Sequence, residues 1–105
     1  MLVTWSASEK RIARRAFNAA LQRELAEVLA EFKARAARAV RAEDMWAIRD
    51  YLDRAQREID SKYDYRYSRL ELVLGGLLRE QRIQEHELDG LADDKMDRIR
   101  RVASL

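Results

Sequence analysis

Residues 6–40 read SASEKRIARRAFNAALQRELAEVLAEFKARAARAV, and this run determines how the rest of the chain is organised. Ser6 and Glu9 have the spacing of a capping box, in which the serine side chain accepts from the backbone of Glu9 and the glutamate reaches back to Ser6. The pair predicts the start of a helix. Apolar residues then recur at steps of three and four, so that they share one helical face: Ile12, Ala13, Phe17, Leu21, Leu25, Val28, Leu29, Phe32, Ala36 and Val40.

A helix over this run would be about 50 Å long, whereas a compact chain of this size is only about 33 Å across. Part of the helix must therefore protrude, and its apolar face needs a cover. We expect a second copy of the chain to supply that cover in a two-fold dimer. The alternative left open is an antiparallel hairpin, in which the next helix folds back along the first after a short loop near Arg41.

A second seam follows, with apolar residues alternately three and four apart as in a heptad repeat, and with Glu43 and Asp44 near its start. Its members are Met45, Ile48, Leu52, Ala55 and Ile59. This pattern predicts a second helix, either continuous with the first through a bend or separate from it. Residues 63–68 then break the periodicity.

The last third of the chain predicts two shorter helices with a turn at residues 81–85. The first of them is buried through Leu70, Val73, Leu74, Leu77 and Leu78, and its Gly75-Gly76 pair permits either a close helix approach or a kink. The last helix is expected to turn Leu88, Leu91, Ala92, Met96, Ile99 and Val102 inward. On its outside, Asp94 with Arg98 and Asp97 with Arg101 are expected to form ion pairs four residues apart.

Composition excludes several kinds of function. The 105 residues include no Cys, which removes disulfides, thiolate metal sites and cysteine nucleophiles. Lys and Arg total 21 against 19 Asp and Glu, so the net charge of +2 gives no strong attraction for nucleic acid. The N-terminus lacks the pattern of a signal peptide, and no run approaches the roughly 20 apolar residues of a membrane span. We therefore expect a cytoplasmic protein of one domain.

No arrangement of residues predicts catalysis. The only histidine, His86, lies in a polar run between Glu85 and Glu87, and no phosphate-binding loop or metal-ligand cluster is present. We expect no enzyme activity, no cofactor and no small-molecule substrate. Four cations of the first helix could instead contact nucleic acid, but they spread over roughly 200° of the helix, which is more typical of a solvated face: Lys33, Arg35, Arg38 and Arg41.

Trp46 is the most informative single residue. It lies some 150° from the centre of the second seam and shares a stripe with Asp50, Asp53 and Arg57. A tryptophan among charged residues is a candidate hot spot for binding another protein. The alternative is a tryptophan packed under a neighbouring helix.

Three segments resemble the fluorescence recovery proteins of cyanobacteria and their relatives in other bacteria: DMWAIRDYL at 44–52, EIDSKYDYR at 58–66 and LADDK at 91–95. The resemblance implies an all-α antiparallel homodimer. In it, a long bent helical stalk at residues 1–62 forms the dimer interface, and residues 63–105 form a smaller C-terminal helical head. The apolar seam of the stalk is expected at that interface: Met45, Ile48, Leu52 and Ile59.

The resemblance also implies a function. Family members bind the C-terminal domain of the photoactivated orange carotenoid protein, speed its return to the resting form and end photoprotective quenching, with no covalent step. The residues expected to bind this partner are Trp46, Arg49, Asp50, Arg57, Leu72 and Arg98. Arg49 stands where the family has His, Gln56 where it has Arg, and Leu72 begins a strip that is aromatic in the family. The runner-up hypothesis is a dimeric helical adaptor for a different protein, and a third is a nucleic-acid-binding dimer.

Overall fold

The computed structural model describes residues 3–105 and consists of four α-helices and one short 3₁₀ helix. They are α1 (Ala7–Arg38), α2 (Ala42–Lys62), α3 (Leu70–Arg79), the 3₁₀ helix (Glu85–Leu88) and α4 (Asp93–Ala103). The described residues contain no strand, in agreement with the predicted all-α class. Met1 and Leu2, which open the predicted 1–62 region, lie outside the described residues.

The molecule is elongated, as the length of α1 requires. Its principal extents are 54 × 25 × 25 Å and its radius of gyration is 16.8 Å, against about 13 Å for a compact chain of this length. The expectation that part of the first helix protrudes is therefore confirmed.

The start of α1 is fixed by the predicted capping box, which also reaches the far end of the chain. The backbone N–H of Glu9 donates to Ser6 Oγ at 3.2 Å, and the N–H of Ser6 donates to Glu9 Oε1 at 3.0 Å. The same carboxylate accepts from the N–H of Ala92 at 2.9 Å and from Lys95 Nζ at 3.2 Å. Burial raises the pKa of Glu9, but the Ser6 and Ala92 N–H groups and the Lys95 ammonium outweigh it and lower the pKa to about 2.

The second helix folds back antiparallel along the first. Residues 39–41 make the reversal without Gly or Pro, and the carboxylate of Asp44 accepts from the N–H groups of Val40 and Arg41 at 2.9 and 3.0 Å. Farther along, the guanidinium of Arg35 lies 4.2 Å from the ring centroid of Tyr51. The hairpin that the sequence left open is thus the arrangement of these helices, which are separate rather than one bent helix.

The hydrophobic core lies at one end of the rod, where α1 meets the last third of the chain. We call residues 5–24 together with 63–105 the packed end, and residues 25–62 the hairpin. The core joins the first half of α1 to α3, α4 and the segment between them through Trp5, Ala13, Ala16, Phe17, Ala20, Leu70, Leu74, Leu77, Ile83, Leu88, Leu91, Met96 and Ile99. This core draws on both sides of the predicted division between 1–62 and 63–105, and that division stays a prediction.

The last helix begins later than its apolar pattern suggested. Leu88 ends the 3₁₀ helix, Leu91 lies in the loop after it, and Ala92 is exposed, so the prediction that α4 contains all three is wrong. The physical reason is Gly90, whose φ of +104° interrupts the helix. A Cβ at that position would lie 2.6 Å from Ile12 Cδ1, so the loop is pressed against α1.

The predicted ion pairs on the outside of α4 have different outcomes. Asp94 and Arg98 do pair, with Arg98 Nη2 3.4 Å from Asp94 Oδ2. Asp97 instead faces Arg100, whose Nη1 is 3.6 Å from Asp97 Oδ1. Within residues 3–105, Arg101 forms no ion pair, so that part of the expectation is wrong.

Helices α3 and α4 approach closely at Gly75. A Cβ there would lie 2.5 Å from Val102 Cβ and 3.0 Å from the carbonyl oxygen of Ile99, whereas one at Gly76 would meet nothing within 4 Å. Of the two roles that the sequence left open for the glycine pair, close helix approach is the one observed, and it needs only Gly75.

Helix α3 ends in a Schellman motif just where the sequence predicts a turn. The N–H of Arg82 donates to the carbonyl of Leu77 at 2.9 Å, and the N–H of Gln81 donates to that of Leu78 at 3.0 Å. Gln81 has a φ of +61°, the left-handed conformation in which this motif usually places glycine. A non-glycine residue therefore carries local strain at this turn.

Candidate partner-binding surfaces

The hairpin leaves much of its apolar surface open. A groove between its two helices is lined by Leu21, Leu25, Val28, Leu52, Ala55, Gln56, Ile59 and Asp60. Within residues 25–62, Ile59 is the only buried side chain. Leu25, Leu29 and Met45 are all exposed. Folding back of α2 therefore covers only part of the surplus apolar face that the sequence predicts.

The four residues expected at a dimer interface form a gradient along α2. Met45 is 54% exposed near the reversal, Ile48 and Leu52 are half-buried, and Ile59 is 8% exposed next to the packed end. The seam is thus buried next to the packed end and exposed near the reversal. Its role in dimerisation stays a prediction.

Trp46, Arg49 and Asp50 lie together on the outside of α2. Trp46 is 54% exposed, so within one chain it is not packed under a neighbouring helix. The guanidinium of Arg49 lies 5.2 Å from the centroid of its ring, and Arg49 Nη2 is 3.4 Å from Asp50 Oδ1. Arg57, also exposed, continues the stripe about 16 Å farther along the helix.

Leu72 and Arg98 form a second group on the packed end. Leu72, on α3, is 48% exposed. Next to it, Glu71 accepts from Arg98 Nε at 2.7 Å and from Arg98 Nη2 at 2.8 Å. The hydrogen bonds to Glu71 raise the pKa of Arg98 above its ordinary value. The two hydrogen bonds to Glu71 thus fix the position of the Arg98 guanidinium beside the exposed Leu72.

Within one chain the two groups are apart. Sixteen residues of α2, about 24 Å of helix, separate Trp46 from Lys62, where α2 meets the packed end. The structure therefore brings together Trp46, Arg49 and Asp50, and separately Leu72 and Arg98. The part that each plays in binding stays a prediction.

A polar junction that sequence reasoning missed joins the hairpin to the packed end. The buried carboxylate of Glu24 accepts from Lys62 Nζ and from the hydroxyl of Tyr63, both at 2.8 Å, and its Oε1 lies 3.1 Å from Arg82 Nε. Burial, then the hydrogen bond to Glu24, raises the pKa of Tyr63 above its ordinary value. The available signal was the position of Glu24 four residues after Ala20 on the buried face of α1.

The side chains on these surfaces are suited to non-covalent recognition. Within residues 3–105, no group of three or more His, Cys, Asp or Glu side chains is arranged to hold a metal ion. Across the described chain, every helix is too short or too polar to cross a bilayer. What the surfaces offer is an exposed indole beside charged hydrogen-bonding groups, and an open apolar groove.

Comparison with known proteins gives consistent matches over nearly the whole chain. Residues 5–103 match the family described as photoprotection regulator fluorescence recovery protein. The fluorescence recovery protein of Synechocystis sp. PCC 6803 is 40% identical over 101 residues, which cover 96% of this chain and 93% of that protein. Solved structures of the proteins from Fremyella diplosiphon and Synechocystis sp. PCC 6803 each align with a TM-score of 0.92, at 32% and 39% identity, over 97% of this chain and 100% of theirs. The chain therefore belongs to the fluorescence recovery protein family of photoprotection regulators.

Proposed function

We propose that this chain binds the C-terminal domain of a photoactivated orange carotenoid protein and accelerates its return to the resting state, which ends photoprotective quenching. Membership of the family sets the class of function, and the observation that carries the proposal is the exposed indole of Trp46. A large aromatic side chain left uncovered beside Arg49 and Asp50 has the composition of a binding hot spot.

The proposed action needs no covalent chemistry. A binder accelerates a partner's return to the compact resting state if it binds the transition state of that return more tightly than it binds the activated state. Trp46 would supply apolar contact area, while Arg49, Asp50 and Arg57 would supply directional hydrogen bonds. Leu72 and Arg98 would provide a second contact on the packed end.

We further propose that two chains pair through their hairpins as an antiparallel homodimer. The support is the open groove around Leu25 and Leu52 and the exposure of Met45, because a lone molecule seldom leaves so much contiguous apolar surface uncovered. In this arrangement residues 1–62 act as the stalk and residues 63–105 as the head. The reversal of one hairpin would then lie beside the packed end of its twin, which brings the two groups of predicted contacts closer together.

The function is tested by the dark relaxation of an orange carotenoid protein after illumination. Addition of the native chain should speed the relaxation. Trp46→Ala should reduce that acceleration by a factor of at least about ten. Lys33→Ala, on an exposed site of α1 that forms no ion pair within residues 3–105, is the matched control and should act as the native chain does. Unchanged relaxation with the native chain, together with no detectable complex, would remove this function and leave the fold and the family intact.

The dimer is tested by the mass of the chain in solution. The native chain should have the mass of two copies, and Met45→Glu should shift it toward one copy because a charge would be buried at the seam. Met45→Leu, which keeps the apolar volume, should remain a dimer. A native chain that is monomeric at all concentrations would refute the pairing.

The second candidate is a dimeric helical adaptor for a different protein. It is favoured by Arg49 in place of the histidine and by Leu72 in place of the aromatic residue that the resemblance implies. An intact dimer that forms no complex with the carotenoid protein, yet captures another partner from a cell extract, would favour this candidate.

A further inference from the structure

Four cations lie within six residues near the start of α1: Lys10, Arg11, Arg14 and Arg15. All four are exposed, and they occupy about 7.5 Å of the helix axis and an arc of about 140°. Within residues 3–105, no carboxylate lies within ion-pair distance of any of them. Farther along the same helix, by contrast, Arg23 Nη2 is 2.6 Å from Glu87 Oε1.

This arrangement opposes the stability of the helix that carries it. Lys10 with Arg14, and Arg11 with Arg15, are like charges four residues apart, which repel each other on a helix surface. They also lie near a helix N-terminus, where the helix dipole disfavours positive charge. Glu9, the adjacent acid, is buried and bonded to Lys95. A cluster of like charges that finds no carboxylate partner within residues 3–105 is the kind of local conflict expected at a functional surface.

Two of the cations are held in place by tyrosines of the loop before α3. The guanidinium carbon of Arg14 lies 3.5 Å from the ring centroid of Tyr65, and Lys10 Nζ lies 5.0 Å from that of Tyr67. Tyr67 itself is 40% exposed. Stacking restricts the Arg14 side chain before any partner arrives, so less conformational entropy is lost when its N–H groups are engaged.

We propose that this cationic patch, defined as Lys10, Arg11, Arg14, Arg15, Tyr65 and Tyr67, docks an acidic protein surface that presents at least two carboxylates beside an apolar side chain. Guanidinium groups match carboxylates in bidentate geometry, and Arg and Tyr are both enriched at protein interfaces. The patch lies on the packed end and does not include Trp46. It also shares no residue with the other contacts proposed above, Arg49, Asp50, Arg57, Leu72 and Arg98, and it is tested without the carotenoid protein.

An acidic protein fits the patch better than the other polyanions. The chain carries 19 acidic residues and a net charge of only +2, which is too little for the broad positive field of a nucleic-acid-binding protein. The patch is also short, since its four cations occupy only about 7.5 Å of the helix axis, whereas a phosphate backbone is usually followed by a longer row of cations. An anionic membrane would require large apolar side chains between the cations, and the residues there are Ile12, which is half-buried, and Ala13, which is buried.

The test compares two double variants with the same loss of charge. Arg11→Gln with Arg15→Gln alters the patch at two side chains that form no hydrogen bond or ring contact among the described residues, so the fold should persist. Lys33→Gln with Arg38→Gln is the control on exposed cations of the hairpin. The probe is a fluorescein-labelled peptide of four Glu-Glu-Leu repeats, and its own control is the same peptide with Gln in place of Glu.

At low salt the native chain should bind the acidic peptide and not the Gln peptide. The patch variant should weaken that binding by at least about fivefold, and the hairpin variant by no more than about twofold. The thermal midpoint of the patch variant should equal or exceed that of the native chain, because repulsion has been removed.

Several results would overturn the proposal. They are an absence of peptide binding, equal weakening by both double variants, a lowered thermal midpoint of the patch variant, and tighter binding of single-stranded oligothymidine or of phosphatidylglycerol vesicles than of the acidic peptide.

Discussion

The two halves of α1 have the same apolar spacing but lie in different surroundings. In the packed end, α1 is met by α3, α4 and the 3₁₀ segment, and residues such as Ala13, Ala20 and Leu74 are fully buried. In the hairpin only α2 accompanies α1, and Ile59 alone is buried. The helical spacing of apolar residues therefore predicts which face of α1 other helices pack against. The spacing does not predict how many helices of the same chain pack there.

The largest expected effect comes from deleting core volume in the packed end. Leu74→Ala should lower the free energy of unfolding by about 3 kcal/mol, because it leaves a cavity at a fully buried position of the core. Leu25→Ala in the hairpin should cost less than about 1 kcal/mol at concentrations where the chain is monomeric, since that side chain is already exposed. Urea unfolding measures both, and equal costs at low concentration would remove the contrast between the two regions.

Acid should weaken the packed end through Glu9. The pKa of Glu9 in the folded chain is lowered from 4.5 to about 2, so its contribution is present above about pH 4.5 and is lost as the pH falls toward 2. The loss should be on the order of 2 to 3 kcal/mol. Unfolding free energies measured against pH for the native chain and for Glu9→Gln should converge over this window. A Glu9→Gln curve that runs parallel to the native curve through this window would contradict the assignment.

The glycine pair sharpens the comparison within a single helix. Gly75→Ala should destabilise the chain by about 2 kcal/mol, because the added Cβ overlaps Val102 on α4. Gly76→Ala adds the same methyl group into open space and should stabilise the helix by about 0.5 to 1 kcal/mol. Thermal unfolding of the two variants should therefore show shifts of opposite sign. Stabilisation by both substitutions would mean that α3 and α4 can separate at little cost.

The smallest expected effect is at Gln81. Gln81→Gly should stabilise the packed end by about 0.5 kcal/mol, because glycine adopts the positive φ of the Schellman motif without strain. Chemical denaturation is sensitive enough to detect it. A destabilised variant would indicate that the Gln81 side chain contributes more than its backbone strain costs.

Much of the fold follows from local signals that the sequence displays directly. The capping box at Ser6, the seam of α2, the break at Tyr63 and the turn at Gln81 are all recorded within a few neighbouring residues. The late start of α4 was missed because Leu88 and Leu91 keep a helical spacing while belonging to a 3₁₀ turn and a loop. The helix is interrupted by the positive φ of Gly90, and the loop there is pressed against Ile12, which is far away in the sequence.

The candidate surfaces were predictable to a lesser degree. Exposure of Trp46 follows from its angular position relative to the seam, which is local geometry. The junction around Glu24 depends on Lys62, Tyr63 and Arg82, which come from three different segments. The sequence also left dimer and hairpin as alternatives, whereas the chain forms a hairpin and still leaves an apolar groove, because two helices alone cannot surround an apolar seam.

The buried contacts of Glu9 join segments of the chain that are synthesised far apart in time. Its partners Ala92 and Lys95 follow it by 83 and 86 residues. The segments of α1 and α2 are both synthesised before either partner, so the hairpin depends on neighbouring parts of the chain, whereas the packed end needs α4. A chain that stops just before residue 92 would therefore keep the segments of the hairpin but lack the partners that close the core around Glu9.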